Sequence, residues 1–367
     1  MKPISYINHK IKPSSMIDTN YLFIDGLSRS GKMSIAPVIS SFNRVEHFKE
    51  FSIINKLLSM YEAGNLNKQG FRYIFETELV QDVWFSMMGR DTNTNVNDMT
   101  SLVNSPKYKE YLEREKREDT PDTFTEIVNE IKDRQLIFPF ETEDFILHQT
   151  LLSEINKNFK YILVMRNPID LVFTWFRSGR GTRLGTDTRY NKPAFQIGSF
   201  DNLYFSMLDN AEAYDNANPL EKCFLVIEKK MTRYMDMDLL NSSNLCLVPI
   251  ENYWTETEKY IKRFENFLGT NRNESITNEM KKANVPRKKD TETFSIKANM
   301  IFDNMNKEYV DRLKKLCQRY ETEISDVYKS NLITNYPRGQ FKGLSVEVFS
   351  KVSAGSKYYR GKHNSSK

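Results

Sequence analysis

Residues 20–40 read NYLFIDGLSRSGKMSIAPVIS: a short apolar run, a polar loop bounded by glycines, then a stretch with the apolar spacing of a helix. A run such as Tyr21–Ile24, cut off by glycine, is expected to be a buried strand. Gly26 to Lys32 fits G-x-x-x-x-G-K, the spacing of a phosphate-cradling loop. Glycines let the backbone turn tightly and aim successive N–H groups inward, and the helix that follows adds its positive N-terminal end. Arg29 and Lys32 flank that nest with cationic donors, so the binding set is Gly26, Ser28, Arg29, Ser30, Gly31, Lys32, Met33 and Ser34. Met33 departs from the pattern, because a nucleotide hydrolase carries Ser or Thr there to hold Mg²⁺. Ser34 is displaced by one residue, about 100° around a helix, so its hydroxyl would point away from the metal. The loop is expected to hold a phosphate-bearing ligand with no metal required.

Further short apolar runs follow: Leu136–Phe140, Tyr161–Met165, Phe224–Ile227 and Leu245–Val248, each expected as a buried strand. Amphipathic segments lie between them. Phe51, Ile54, Leu57, Leu58 and Tyr61 have helical spacing with Gly64 as a cap, and Phe124, Ile127, Val128 and Ile131 repeat it. Thr255 and Glu258 form a capping-box pattern opening a helix that ends at Gly269. Strands alternating with helices predict an α/β fold, a P-loop-like parallel sheet flanked by helices with helical insertions.

The expected organisation is an N-terminal extension (1–19), an α/β domain (20–333) and a basic tail (334–367) expected to be mobile. Within the domain, residues 86–135 form a polar helical insertion, read as a solvated excursion or as a lid over an acceptor site. A chain of 367 residues can bury a large core, and 39% hydrophobic with 28% charged residues is ordinary globular composition. A net charge of +5 is too mild and dispersed for a nucleic-acid binder. No apolar run approaches the roughly 20 residues that span a bilayer, and the N-terminal stretch lacks the apolar core of a signal peptide. Three widely spaced cysteines form neither a metal spacing nor a disulfide framework. The expected location is cytoplasmic.

A second motif lies at residues 161–180, YILVMRNPIDLVFTWFRSGR. Arg166 emerges from the carboxyl end of a strand, where open α/β sheets place ligands. Pro168 and Asp170 suit a first helical turn. Thr174, two turns on, could share a face with Arg166 and help hold a second phosphate.

Together these motifs resemble sulfotransferases that use 3′-phosphoadenosine 5′-phosphosulfate (PAPS). FIDGLSRSGKMS resembles the family's loop around the 5′-phosphosulfate, P-[KR]-S-G-T-[ST], and RNPIDLVFT resembles its 3′-phosphate element, R-[ND]-P-x-D-x-x-x-S. Glu251 and the FLG ending of ENYWTETEKYIKRFENFLG are similar to a C-terminal family segment. The resemblance implies that Arg29 contacts the transferring sulfate and its bridging oxygen, and that Lys32 and Met33 replace two hydroxyl residues at the 5′-phosphate. It also implies that Arg166 and Thr174 hold the 3′-phosphate, with Arg287 of VPRKKD as a further clamp. The implied reaction moves a sulfuryl group from PAPS to a hydroxyl or amine acceptor, a glycan being slightly favoured, and releases adenosine 3′,5′-bisphosphate.

Sulfuryl transfer is largely a matter of positioning and of cations on the leaving oxygen, but an acceptor hydroxyl needs a general base. The candidates are Glu50 and His47 in RVEHFKEF, and Glu141 after the strand LIFPF, with Glu46, Glu76, Glu78 and Asp91 behind them. His148 reads as structural. Trp84, Trp175 and Trp254 read as core or pocket wall, Trp175 with a chance of stacking on an adenine or sugar. Two rival readings stay open: a P-loop kinase or nucleotide hydrolase, and a catalytically degenerate binding module of the same fold. Acceptor identity and oligomeric state are not readable in this sequence.

Overall fold

Seven strands form among the described residues: β1 (Asn20–Asp25), β2 (Lys49–Glu50), β3 (Ile137–Glu141), β4 (Lys160–Met165), β5 (Phe195–Ile197), β6 (Phe200–Leu203) and β7 (Leu245–Pro249). The computed structural model describes residues 17–156, 158–187, 192–237, 242–325 and 327. The expectations for residues 1–16 and for the tail 334–367 lie outside the described residues.

Five strands make one sheet in the order β2-β3-β1-β4-β7, all pairs parallel. The chain goes from β1 to β2 and β3 on one side, then returns to β4 on the other. The reversal beside β1 is where open α/β sheets place ligands, at the carboxyl ends of their strands. As a central parallel strand, β1 is buried on both faces, and Leu22, Phe23, Ile24 and Asp25 are fully inaccessible. On one face Phe23 packs against Phe140, Phe145 and Phe159 at centroid distances of 5.9, 4.4 and 5.1 Å. On the other, Leu22 and Ile24 join Ile35, Val38, Ile39, Val164 and Val248 in one apolar cluster. Each such side chain contributes about 1.5–3 kcal/mol on full burial.

The chain divides into two compact units, Met1–Met165 with Asp236–Lys288 and Arg166–Met235 with Lys289–Lys367. The first unit holds the parallel sheet. Its residues 86–135 comprise the end of the helix Lys68–Met87, a short turn at Leu102–Asn104 and the helices Tyr108–Arg114 and Pro121–Arg134. This insertion is clamped by a buried ion pair. Arg114 donates to both oxygens of Glu46 at 2.8 and 3.0 Å, and Tyr111 Oη donates to Glu46 at 2.7 Å. Burial opposes the Glu46 charge, but Arg114 outweighs it and holds the carboxyl down at about 2.

The second unit is built mainly from the helices Pro168–Arg177, Pro219–Met235, Thr291–Asp303 and Lys307–Glu323. Here one expectation is corrected: Phe224–Ile227 is not a strand but the middle of the helix Pro219–Met235. Leu220, Phe224, Ile227, Met231 and Tyr234 keep helical spacing and are all buried. A reciprocal cap fixes its start. Asn218 Oδ1 accepts from Leu220 N at 2.9 Å and Glu221 N at 3.1 Å, while Glu221 Oε2 accepts from Asn218 N at 2.9 Å.

A second correction concerns Thr255 and Glu258. No capping box forms: Thr255 Oγ1 donates to Glu251 O at 3.1 Å inside the helix Ile250–Thr255, and Glu258 pairs with Arg272 at 2.7 Å. The next helix spans Thr257–Leu268 and ends, as expected, at Gly269.

Candidate active site

The glycine loop follows β1 directly, and its shape depends on two residues without side chains. Gly26 has φ 135°, and a Cβ there would lie 2.2 Å from the Val164 carbonyl oxygen. Gly31 has φ 105°, and a Cβ would meet Ile250 at 2.6 Å. Both positions combine the left half of conformational space with backbone or core contact, so only glycine fits. Arg29 also has positive φ, 66°, and is exposed at the loop tip. Within the turn, Ser30 N donates to Leu27 O at 3.0 Å and Ser34 N to Gly31 O at 2.9 Å.

Ser30 supplies the clearest sign of a ligand. It is 1% exposed, yet its Oγ has no hydrogen-bond partner. A buried hydroxyl left unsatisfied costs about 1–3 kcal/mol, and it lies 3.2 Å from where a Gly26 Cβ would be, so it faces the inside of the loop. The expected helix begins as a 3-10 turn, Lys32–Ser34, followed by only Ala36–Ser40. Its first N–H groups have no partner within the turn, but so short a helix adds little dipole. The cradle depends on the loop's own N–H groups, Ser30 and the cations.

Lys32 is 3% exposed and turned inward. Its Nζ donates to Gly26 O at 2.6 Å and pairs with Glu141 Oε1 at 3.0 Å. Burial works against its charge, but Glu141, Glu143 and Asp25 carry the ammonium above its ordinary range. Glu141 ends β3 and lies beside Glu50 of β2, its register partner. Burial pushes the Glu141 carboxyl up to about 7 against the pull of Lys32, and the charges of Glu143 and Glu50 add to the rise. A carboxylate near neutrality beside a phosphate loop is equipped to accept a proton at physiological pH. Glu50 itself is exposed. Asp25 caps the turn Phe145–His148, accepting from Thr142 Oγ1 at 3.0 Å, Phe145 N at 3.3 Å and Ile146 N at 2.8 Å.

Met33 packs its side chain against the apolar cluster under the sheet. Ser34 Oγ donates to Gly31 O at 2.8 Å and accepts from Trp254 Nε1 at 3.3 Å. Trp254 in turn carries the Arg287 guanidinium over its ring at 4.5 Å, and Arg287 donates to Ala283 O and Asn284 O, both at 2.7 Å. A chain of contacts thus joins Arg287 to the phosphate loop through Trp254 and Ser34, a link invisible at a separation of over 200 residues.

Other base candidates are engaged elsewhere. Glu46 is locked to Arg114, and His47 places Nε2 3.0 Å from Thr100 O, its imidazole held below the usual range by burial. Glu76 is buried against Arg72 at 2.8 Å, and His148 lies 3.3 Å from Glu62.

In the second unit, Arg166 opens the R-N-P-x-D motif. Asn167 Oδ1 accepts from Ile169 N at 3.0 Å and Pro168 occupies the first turn, so the helix start reads as the sequence predicts. Thr174 Oγ1 donates to Asp170 O at 2.6 Å, along its own helix. Asp170 is 3% exposed and lies 3.7 Å from Arg166 and 2.6 Å from Lys297. No pattern in the sequence marks Lys297, which joins Asp170 across 127 residues. Trp175 is 2% exposed, with the Arg180 guanidinium over its ring at 5.1 Å.

No family model matches this chain, and no curated protein does. Among solved structures it is similar to the sulfotransferase domain from the curacin biosynthetic pathway, at 13% identity over 95% of this chain and all of that one, with a TM-score of 0.39. It is also similar to the sulfotransferase domain from the Synechococcus PCC 7002 olefin synthase (10% identity, 96% of this chain, 100% of that one, TM-score 0.38). A sulfotransferase from Alicyclobacillus acidocaldarius matches at 13% identity over 82% of this chain and 96% of its own, with a TM-score of 0.35. Among the described residues, no helix is long and apolar enough to cross a membrane.

Proposed function

We propose that this chain is a sulfotransferase that moves a sulfuryl group from PAPS to a hydroxyl or amine acceptor and releases adenosine 3′,5′-bisphosphate. The observation that carries this reading is the loop Gly26–Ser34, where a buried, unpartnered Ser30 hydroxyl faces the inside of a glycine turn next to a carboxylate poised near pH 7. The cradle fits a phosphosulfate: its N–H groups and Ser30 would hold the oxyanion, and Arg29 would meet charge on the bridging oxygen. Arg166, with Thr174, is assigned to the 3′-phosphate on the strength of the R-N-P-x-D motif, and Arg287 remains proposed as a further clamp.

In this reading Glu141 is the general base. Its carboxylate takes the acceptor proton as the acceptor oxygen bonds to sulfur. The sulfur–oxygen bond to the donor's bridging oxygen then breaks, and Arg29 stabilises the electron pair left on the 5′-phosphate. Lys32 holds Glu141 at 3.0 Å and so orients it. Glu50, beside Glu141, would line the acceptor side, where a glycan hydroxyl is slightly favoured. The insertion 86–135 is proposed as the acceptor lid.

Calorimetric titration with adenosine 3′,5′-bisphosphate and with ATP, each with and without Mg²⁺, tests the proposal. Tight, metal-independent binding of the bisphosphate is expected. Preference for Mg·ATP would replace the sulfotransferase by a kinase or hydrolase, and binding of neither would indicate a degenerate module.

A further inference from the structure

Arg166 and Asp170 stand four residues apart at the start of one helix, the spacing at which a carboxylate closes onto an arginine. Such a closure would neutralise the arginine and occupy its forked donors. It has not happened: Arg166 Nη2 stays 3.7 Å from Asp170 Oδ2, beyond hydrogen-bond reach. Lys297, from the helix Thr291–Asp303, instead places Nζ 2.6 Å from Asp170 Oδ1. The Arg166, Asp170 and Lys297 side chains are only 14%, 5% and 18% exposed, so water screens this competition weakly. Burial opposes the Asp170 charge, but Lys297 and then Arg166 keep the carboxyl below its ordinary range. The group therefore holds two cations against one carboxylate, and the closer pair is with the lysine.

We propose that Lys297 is a positioning residue for the 3′-phosphate: by engaging Asp170, it keeps that carboxylate from capturing Arg166 and preserves the positive charge that the phosphate meets. This rests on the assignment of Arg166 made above. Loss of Lys297 would let Arg166 close onto Asp170, and the protein would lose its selectivity for a nucleotide bearing a 3′-phosphate.

The test titrates the full chain with adenosine 3′,5′-bisphosphate and with adenosine 5′-monophosphate, which lacks the 3′-phosphate. Lys297→Met should weaken bisphosphate binding tenfold or more and change monophosphate binding less than twofold. Lys297→Gln, which keeps a donor beside Asp170 without its charge, should show the same selective loss and serves if the methionine variant does not fold. The double variant Asp170→Asn/Lys297→Met removes the competing carboxylate and should recover most of the bisphosphate affinity. Equal losses for both nucleotides would reduce Lys297 to a structural role and overturn the proposal. No recovery in the double variant would also overturn it, because Lys297 would then act on the phosphate itself. If Arg166→Ala weakens bisphosphate binding but the Lys297 variants do not, the positioning role falls alone. If Arg166→Ala changes nothing, the assignment of Arg166 falls and takes this proposal with it.

Discussion

Replacing Ser30 by alanine separates a ligand-binding hydroxyl from a structural one, because the two roles predict opposite signs. A structural serine at 1% exposure would be hydrogen-bonded, and its loss would cost about 1 kcal/mol or more. Ser30 Oγ has no partner, so Ser30→Ala removes a polar atom that burial already penalises. The free protein should be unchanged in stability or gain up to about 1 kcal/mol. A hydrogen bond to a charged oxyanion contributes about 1.5–3 kcal/mol, so bisphosphate affinity should fall roughly tenfold to a hundredfold. Denaturant unfolding with and without ligand gives the first quantity, and calorimetry gives the second. A variant that is destabilised while free, yet binds the nucleotide as before, would refute the reading of this loop as an anion cradle.

Three further changes probe the same unit. Glu141→Gln keeps the shape but removes the base, and should lower sulfuryl transfer roughly 10²–10⁴-fold. The wild type should gain activity as pH rises through about 7, where Glu141 ionises, and the variant should lose that limb; a pH–rate profile that keeps it assigns the base elsewhere. Gly26→Ala drives a Cβ to 2.2 Å from Val164 O and should cost on the order of 3–5 kcal/mol, whereas Gly64→Ala, with open space around it, should cost about 1–2 kcal/mol for its positive φ alone. Equal costs in denaturant unfolding would contradict the close approach. Arg114→Met leaves Glu46 buried without its cation and should cost about 3–5 kcal/mol at neutral pH. Glu46 is held from 4.5 down to about 2, worth about 3 kcal/mol at about 1.36 kcal/mol per pKa unit. That stability is present above pH 4.5 and is lost as pH falls toward 2, so the gap between wild type and variant should narrow over that window; a constant gap would mean the pair is not what Arg114 supplies.

How far the residues alone carried the fold depended on what kind of signal each element had. Tyr21–Ile24 and Tyr161–Met165 are short apolar runs closed by a glycine loop or by Arg-Asn-Pro, and both are strands of the parallel sheet. Phe224–Ile227 has the same composition, but its neighbours Leu220, Met231 and Tyr234 continue a helical period and Asn218-Pro219 starts it, so four residues were too short a window. Thr255 and Glu258 had the right spacing for a cap, yet the threonine belongs to the preceding helix. The two-residue β2 carries no periodicity to read. In the candidate site, the loop and the motif at Arg166 were legible because tight turns restrict residue type. Lys297, Trp254 and Arg114 were not, since each acts through a partner brought close only by the fold.

The residue that looked least suited to the loop explains most of it. In the family pattern a hydroxyl stands where Lys32 is, and a cation there reads at first as a spare phosphate ligand. Its ammonium is instead directed away from the cradle's mouth, onto Gly26 O and Glu141. That geometry does two things at once. It ties the last turn of the loop to the first, so the cradle is shaped before any ligand arrives. It also sets the Glu141 carboxyl near 7, where burial alone would lift it further and full solvation would leave it near 4.5. Phosphate binding and proton acceptance then share one side chain, and a hydroxyl at position 32 could supply neither the charge nor the reach. Met33 completes the exchange: with Lys32 carrying the polar work of the turn, the next position is released to pack against the apolar cluster beneath the sheet.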